Sequence, residues 1–316
     1  MITFRKGSSS SLKRKEMALL TMEEEAHRAE FKTNEPFICK PHPFLPLLFL
    51  PDHCDIKVVD IDSRSVIKTI TGHDTPVFRA FIDPTGRFLL SSSRDGSTML
   101  WDAGLGQLLK TFKLLRFTMN SRATFHFSKP LIAYVHKCKN VALLDIESES
   151  ILKILAGHCG YVCEIVSHPL EDLLASCSKD GTVRIWSWSE RKEKNVLLGH
   201  SAGVSSLACS TTYLASSSWD KTVRLWRWSS GECARVFRFP KEFRPQSLVW
   251  KGPSLFALNG GTLYVIDTSG EDVGDWSLKK FKKLNEKTFG FEVVGDDTLV
   301  TSKWTGVFEN GIVQVH

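Results

Sequence analysis

The sequence lacks a long apolar run and an apolar segment near its beginning. A membrane-spanning helix needs roughly 18 or more apolar residues. The longest candidate, Phe44 to Pro51, is short and is broken by prolines. The first ten residues include Arg5 and Lys6 but no apolar core of a secretion signal. We therefore expect an intracellular protein of the nucleus or cytoplasm that is neither secreted nor bound to a membrane.

Most of the chain also lacks an excess of positive or negative charge. The formal net charge is +6, yet residues 1–15 contain five basic and no acidic side chains. The rest of the chain carries 36 basic against 35 acidic side chains. A nucleic-acid-binding domain is expected to show a basic stripe of its own. We therefore expect nucleic acid to be bound only indirectly or through this basic tail.

Paired cysteine spacings are absent as well. The eight cysteines include no C-x-x-C pair, so neither a disulfide framework nor a structural zinc site is indicated. The nearest approach to a ligand set is His158 with Cys159 and Cys163, or His136 with Cys138, and neither supplies four ligands. We interpret the cysteines as buried reduced thiols and predict no metal and no cofactor.

The sequence does contain a repeat that occurs three times. Each copy has a Gly-His, then an aspartate 22 residues after the histidine in the first two copies and 20 in the third. A tryptophan follows each aspartate by 6 residues, and a serine precedes each aspartate by 4. The four positions are His73, Ser91, Asp95 and Trp101 in the first copy, His158, Ser176, Asp180 and Trp186 in the second, and His200, Ser216, Asp220 and Trp226 in the third.

The residues between these positions have the pattern of β-strands. Apolar and β-branched residues alternate with polar ones from Thr182 to Trp186, and a period of two is typical of a strand. The Asp-Gly pairs at Asp95 and Asp180 favour tight hairpin turns. The repeat resembles that of the WD40-repeat family of β-propellers, whose units extend from a Gly-His to a Trp-Asp over about 40 to 45 residues. Only Trp101-Asp102 keeps the full dipeptide.

The same period locates seven units along the chain. Degenerate versions of the Trp-Asp end occur at Val59-Asp60, Leu144-Asp145 and Ile266-Asp267, and Val315-His316 closes the chain. The third strands are therefore predicted to end at residues 59, 101, 144, 186, 226, 266 and 315. We predict an all-β fold, a seven-bladed WD40 β-propeller with four antiparallel strands in each blade.

The last unit stops after its third strand, so its fourth strand must come from elsewhere. The segment from His27 to Thr33 has the right length, and family propellers usually close their ring with such an N-terminal strand. Closure removes the unpaired sheet edges that promote aggregation. The predicted organisation is a flexible, basic and partly helical N-terminal arm over residues 1–26 and a propeller over residues 27–316.

The repeated Ser, His and Asp residues have the side-chain types of a hydrolase triad. An enzyme needs one activated nucleophile beside one oxyanion hole, whereas here the set recurs at a fixed period. The resemblance implies a structural relay in each copy, in which the tryptophan donates to the serine, the serine to the histidine and the histidine to the aspartate. In units one, three and six the aspartate position falls on His53, Cys138 and Gly260, so we expect apolar packing to hold those blades and predict that they are less rigid.

The resemblance also places two kinds of position on the central top face of the ring. One kind is the residue before each repeated aspartate, and the other flanks the valine that follows each Gly-His. Aromatic side chains mixed with cations have the composition of an interface hot spot. The expected partner-binding residues are Phe37, Pro76, Phe78, Arg94, Tyr161, Lys179 and Trp219.

These features favour a non-catalytic scaffold or adaptor of the WD40 type. We expect it to bind segments of other proteins within a larger complex, with the propeller itself monomeric. One alternative is a subunit of a nuclear or nucleolar ribonucleoprotein complex that processes ribosomal RNA, to which the basic tail would contribute. Another is the substrate receptor of a ubiquitin ligase, although the sequence has no F-box.

Overall fold

The structure is a computed structural model of the chain. It describes residues 31–33, 40–63, 65–112, 122–240, 246–259, 262–270, 275–283, 288–294, 298–304 and 311–315. The predicted N-terminal arm and the site residue Phe37 lie outside these residues. In the described part of the chain, no helix is long and apolar enough to cross a membrane.

The described residues form strands β1 to β28, which pair in seven antiparallel four-stranded sheets, the predicted blades. The strand that precedes the ring is β1 (Phe31–Thr33). Blade one contains β2 (Lys40–Pro41), β3 (Leu47–Asp52), β4 (Asp55–Asp60) and β5 (Ser65–Ile70). Blade two contains β6 (Val77–Ile82), β7 (Phe88–Ser93), β8 (Thr98–Asp102) and β9 (Leu108–Phe112). Blade three contains β10 (Ala123–Phe125), β11 (Leu131–His136), β12 (Asn140–Asp145) and β13 (Ile151–Leu155).

The second half of the ring continues the same order from the innermost to the outermost strand. Blade four contains β14 (Val162–Ser167), β15 (Leu173–Ser178), β16 (Val183–Ser187) and β17 (Lys192–Leu197). Blade five contains β18 (Val204–Cys209), β19 (Tyr213–Ser218), β20 (Thr222–Arg227) and β21 (Cys233–Arg238). Blade six contains β22 (Ser247–Lys251), β23 (Ser254–Asn259), β24 (Thr262–Asp267) and β25 (Ser277–Lys283). Blade seven contains β26 (Thr288–Val294), β27 (Thr298–Trp304) and β28 (Gly311–Val315).

The predicted closure of the ring is confirmed. Strand β1 pairs antiparallel with β28 as the outermost strand of blade seven, with Phe31 opposite Val313 and Thr33 opposite Gly311. The innermost strands contact one another in sequence around the ring, and β26 contacts β2 to complete it. Each predicted strand end lies at the last residue of a third strand or one residue before it.

The core lies between neighbouring blades. One apolar cluster joins blades three and four and includes Ala133, Leu143, Leu174 and Trp186, and similar clusters join blades one and two, two and three, four and five, and five and six. Because each sheet is covered on both faces, a second strand such as β15 is almost wholly buried. The outermost strands follow the opposite pattern and expose most of their residues.

Apolar or aromatic side chains replace the relay serine in the degenerate blades. The strand register places Leu50 of blade one, Tyr134 of blade three and Ala257 of blade six at the position of that serine. All three are buried. This arrangement agrees with the expectation that these blades depend on side-chain packing, while their lower rigidity stays a prediction.

The interpretation of the cysteines as buried thiols is wrong for three of them. Cys138, Cys159 and Cys233 are exposed, whereas Cys177 is buried. The exposed three lie in a turn, in a connection between blades and at the start of an outermost strand, where no neighbouring blade covers them. All the cysteines of the described residues are free thiols.

Candidate functional site

The relay of blade four is a continuous chain of hydrogen bonds. The Nε1–H of Trp186 donates to Oγ of Ser176 at 2.8 Å. Oγ of Ser176 lies 2.9 Å from Nε2 of His158, and Nδ1 of His158 lies 3.0 Å from Oδ2 of Asp180. Blade five repeats this chain through Trp226, Ser216, His200 and Asp220, with all three distances at 2.8 Å.

The order of donors along the chain fixes the protonation of the histidine. The indole can only donate, so the serine accepts from it and donates its own proton to Nε2, which leaves Nδ1–H to donate to the carboxylate. Burial lowers the pKa of His158 by more than the nearby Asp180 raises it, which keeps the ring neutral. Burial acts to raise the pKa of Asp180, but hydrogen bonds from Thr182 and from the N–H of Cys159 outweigh it and hold this pKa below its usual range.

The relay of blade two departs from the expected arrangement. Trp101 donates to Ser91 at 2.7 Å and Ser91 lies 2.6 Å from Nε2 of His73, as expected. Nδ1 of His73, however, meets Oγ of Ser97 at 3.1 Å instead of the carboxylate of Asp95. Asp95 is exposed and accepts from the N–H of Ser97 at 2.7 Å. The expected bond from histidine to aspartate is therefore replaced in this blade by a bond to a hydroxyl.

A hydroxyl two residues after each aspartate belongs to these networks and was not among the expected relay residues. Oγ1 of Thr182 donates to Oδ1 of Asp180 at 2.7 Å and lies 3.2 Å from Nδ1 of His158. Thr222 does the same in blade five, at 2.6 Å from Asp220. The signal was present in the sequence, because every copy has Ser or Thr two residues after the aspartate. The relay is thus a group of five side chains in blades four and five.

The relay serines are inaccessible to a substrate. Ser91, Ser176 and Ser216 are 0% exposed, because each lies under the tryptophan of its own blade. A nucleophile must reach its substrate, and these hydroxyls are already engaged by an indole and an imidazole. Among the described residues, no group of three or more His, Cys, Asp or Glu side chains is placed to hold a metal ion.

The turn after each second strand brings the two expected kinds of surface residue together. The N–H of Lys179 donates to the carbonyl of Tyr161 at 2.9 Å in blade four. The N–H of Arg94 donates to Pro76 in blade two at 3.0 Å, and the N–H of Trp219 donates to Gly203 in blade five at 3.0 Å. The end of the ring that carries these turns is called the top face below. Each residue before an aspartate is thus fixed to the start of its innermost strand.

Three side chains of blades four and five form an exposed group on the top face, which we call the top-face triad: Tyr161, Lys179 and Trp219. The ammonium of Lys179 lies 5.6 Å from the ring centroid of Tyr161 and 5.4 Å from that of Trp219. Tyr161 is 56% exposed and Trp219 is 48% exposed. A Cβ at Gly203 would lie 3.2 Å from Cα of Lys179, so the glycine allows the two blades to approach here.

The other expected surface residues are not part of this group. Pro76 and Arg94 form their own pair on blade two, and blade three separates them from the triad. Phe78 is only 5% exposed, so the expectation that it presents an apolar surface to a partner is wrong. Phe78 lies at a β-bulge between Val77 and Arg79, where the alternation of a regular strand no longer sets the direction of the side chain. Comparable bulges occur beside Cys163 and Ser205.

The opposite end of the ring carries tryptophans that join neighbouring blades. Trp188 of blade four packs edge-on against His126 of blade three, with ring centroids 5.2 Å apart. Trp228 of blade five packs in the same way on His168 of blade four at 5.0 Å. Both tryptophans are buried, so each ring packs between two blades.

Comparison with known proteins agrees with this geometry. The family model described as "WD domain, G-beta repeat" matches residues 64–102, 149–187 and 191–227, which contain the three relays. A solved structure titled "Structure of U3-55K" superposes with a TM-score of 0.69 at 17% sequence identity, and the match covers 87% of this chain and 93% of that one. At this identity the likeness establishes the fold alone.

Curated relatives are similar over shorter segments. The chain is 28% identical over 159 residues to "TSET complex member tstE" of Dictyostelium discoideum, a match that covers 46% of this chain and 12% of the relative. It is 39% identical over 74 residues to "Pre-mRNA-processing factor 19" of Bos taurus, covering 23% and 15%. It is 29% identical over 187 residues to "Nuclear distribution protein PAC1" of Arthroderma benhamiae, covering 54% and 41%. The matches span less than half the length of each of these relatives.

Proposed function

We propose that this chain, which belongs to the WD40-repeat family, is a non-catalytic scaffold that holds a segment of a partner protein on its top face. The observation that carries this proposal is the top-face triad. Two aromatic side chains and a cation lie together on the surface of the propeller, whereas the relay tryptophans are buried.

Rigid support of the triad favours a binding role. Lys179 is fixed between the backbone bond to Tyr161 and the relay aspartate Asp180, and Trp219 occupies the same position beside Asp220. Side chains held in place before binding lose less conformational entropy when a partner arrives. Exposed aromatic residues beside a cation have the composition of the few residues that dominate interface energies.

The absence of catalysis is part of the proposal and rests on the geometry of the relays. Their serines are buried and their histidines are held neutral between a serine and an aspartate or hydroxyl. The same set recurs in three blades, as expected for side chains that stabilise a repeated unit.

The test is recovery of protein partners by the full chain from a native cell extract. Trp219→Ala and Tyr161→Ala each remove exposed aromatic surface, so we expect the partners recovered by the unmodified chain to be lost. The matched control is Leu170→Ala, because Leu170 is 67% exposed on the connection at the opposite end of blade four. Unfolding curves equal to that of the unmodified chain would show that all three variants fold.

Retention of the same partners by both aromatic variants would contradict the proposal. Equal loss with Leu170→Ala would contradict it too, because binding would then depend on general surface apolarity and not on the top face.

A second candidate is membership of a ribonucleoprotein complex of the nucleus. It is supported by the five basic and no acidic side chains of residues 1–15, and one similar protein is named a pre-mRNA-processing factor. If these charges neutralise phosphates of single-stranded RNA, log affinity should fall with log salt with a slope of about −3 to −4. Deletion of residues 1–15 should then abolish RNA retention. Retention that is independent of salt, or that survives the deletion, would contradict this candidate.

A further inference from the structure

We infer that the partner segment on the top face is acidic and places a carboxylate or phosphate oxygen on the ammonium of Lys179, between the rings of Tyr161 and Trp219. This inference rests on the proposed function and names the chemistry of the partner. It starts from the charge of Lys179, which forms no ion pair in the part of the chain that the structure describes.

The carboxylate next to Lys179 in the chain and its counterpart in blade five are already committed to internal hydrogen bonds. Oδ1 of Asp180 accepts from the N–H and hydroxyl of Thr182, and Oδ2 accepts from His158 and from the N–H of Cys159. Asp220, in the facing turn of blade five, is occupied in the same way by Thr222, His200 and Ser201. Within the described residues, the ammonium of Lys179 therefore forms no ion pair with either of them.

Arg79 of blade two, Arg122 of blade three and Glu164 of blade four interact at the inner side of the propeller. Nε of Arg122 lies 3.3 Å from Oε1 of Glu164, and both side chains are partly buried. Burial, with repulsion from Arg122, lowers the pKa of the Arg79 guanidinium to about 9, while Glu164 acts in the opposite direction. Arg122 brings a cation into direct contact with the innermost strand of blade four, next to the turn that carries Lys179.

The charge of Lys179 also reaches this interior. Burial raises the pKa of the Cys163 thiol, and Lys179 is the foremost of the charges that oppose this rise. Cys163 lies beside Glu164 on the innermost strand of blade four. The ammonium of Lys179 and the guanidinium of Arg122 therefore act on the same residue.

The two rings make an acidic partner a better fit than a basic one. Aromatic faces attract cations, but Lys179 already lies over both rings at 5.6 and 5.4 Å. A second cation would compete for these faces and be repelled by the first. An oxyanion would meet the outward N–H donors of the ammonium, while an apolar neighbour on the same segment packs on the exposed edges of the rings.

The test uses fluorescein-labelled peptide pools, which differ at one central position flanked by leucines. That position is Glu, phosphoserine, Gln or Lys, and binding to the full chain is measured by fluorescence anisotropy. We expect the Glu or phosphoserine pool to bind about tenfold more tightly than the Gln pool, which corresponds to one well-formed ion pair. A preference for Glu over phosphoserine identifies a carboxylate as the source of the oxyanion, and the reverse preference identifies a phosphate.

Charge variants test whether Lys179 causes the tighter binding of the acidic pools over the Gln pool. Lys179→Gln should remove this difference in affinity and Lys179→Arg should keep it. The matched control Lys153→Gln, on the exposed outer strand of blade three, should leave it unchanged. The preference should also shrink when salt rises from about 50 to 300 mM, because screening shortens the reach of exposed charges.

The outcomes separate this inference from the proposed function. If Trp219→Ala abolishes peptide binding while Lys179→Gln leaves the order of the pools unchanged, the acidic partner is refuted and the top-face site stands. If the unmodified chain binds the Gln or Lys pool more tightly than the Glu and phosphoserine pools, the acidic partner is likewise refuted and the top-face site stands. If no pool binds, or if binding survives both Trp219→Ala and Tyr161→Ala, both the inference and the site are overturned.

Discussion

Removal of the relay carboxylate in blade four tests the structural account of the ring most directly. Asp180→Ala deletes a group that accepts hydrogen bonds from His158, Thr182 and Cys159. The donors at Thr182 and Cys159 lie at or near the surface, so water can replace the lost acceptor. The imidazole of His158 is different, because only 1% of its side chain is exposed.

The expected cost follows from the loss of that charged acceptor, which leaves His158 with only the hydroxyl of Thr182, at 3.2 Å from Nδ1. A hydrogen bond to a charged group contributes about 1.5–3 kcal/mol, and one between neutral groups about 1 kcal/mol. We therefore expect the free energy of unfolding to fall by about 1–2 kcal/mol. The measurement is equilibrium unfolding in urea, followed by tryptophan fluorescence, with the midpoint and slope reported separately.

Blade two supplies a matched control at the equivalent position. Asp95 is exposed, and Nδ1 of His73 is bonded to the hydroxyl of Ser97 instead of to this carboxylate. Asp95→Ala should therefore leave the histidine paired and cost less than about 1 kcal/mol. Equal costs for Asp95→Ala and Asp180→Ala would refute the argument, since the two substitutions differ mainly in whether a buried histidine loses its acceptor.

Three further outcomes are expected from the same structure. Burial lowers the pKa of His158 and His200 in the folded chain, so below the ordinary histidine pKa of about 6.5 the unfolded chain binds more protons than the folded one. The free energy of unfolding should therefore be highest above that pH and fall by up to about 1.4 kcal/mol per histidine between pH 7.5 and 5.5, as measured by urea unfolding at each pH. Lys221 has φ 68° where the other two relay turns have glycine, so Lys221→Gly should stabilise the chain by about 0.5–1 kcal/mol in the same assay, and a loss of stability would show that this backbone is not strained. Trp228→Ala removes a buried indole between blades four and five and should lower the free energy of unfolding by about 3–5 kcal/mol. A loss under about 1 kcal/mol would show that this indole does not hold the two blades together.

The architecture was predictable from the sequence because the repeat fixes it at many positions together. The Gly-His, Asp and Trp positions set the register of three blades, and their period located the degenerate strand ends at Val59, Leu144 and Ile266. The incomplete last unit predicted the closing strand, which β1 provides. These inferences need only strand periodicity and the cost of an open sheet edge.

The details of the site were less predictable because they depend on side-chain directions. Both turns contain Asp-Gly, so the sequence did not predict that His73 would bond to Ser97 while His158 bonds to Asp180. Phe78 is buried at a bulge, and strand periodicity does not predict the direction of a side chain at such a position. Spacing also could not show that Lys179 would lie over rings from two different blades.

The position of the triad next to the relay connects the stability of the ring to its surface chemistry. Lys179 directly precedes Asp180, and Trp219 directly precedes Asp220, so each buried network fixes the turn that presents a surface side chain. The networks also consume the acceptor positions of both carboxylates, which leaves the charge of Lys179 available to a partner. A relay built only for stability would not require at its turns an exposed tryptophan and a lysine that forms no ion pair with the described carboxylates, since a polar residue can occupy that turn position. The proposed function accounts for the residues before the two aspartates, because both present their side chains at the surface.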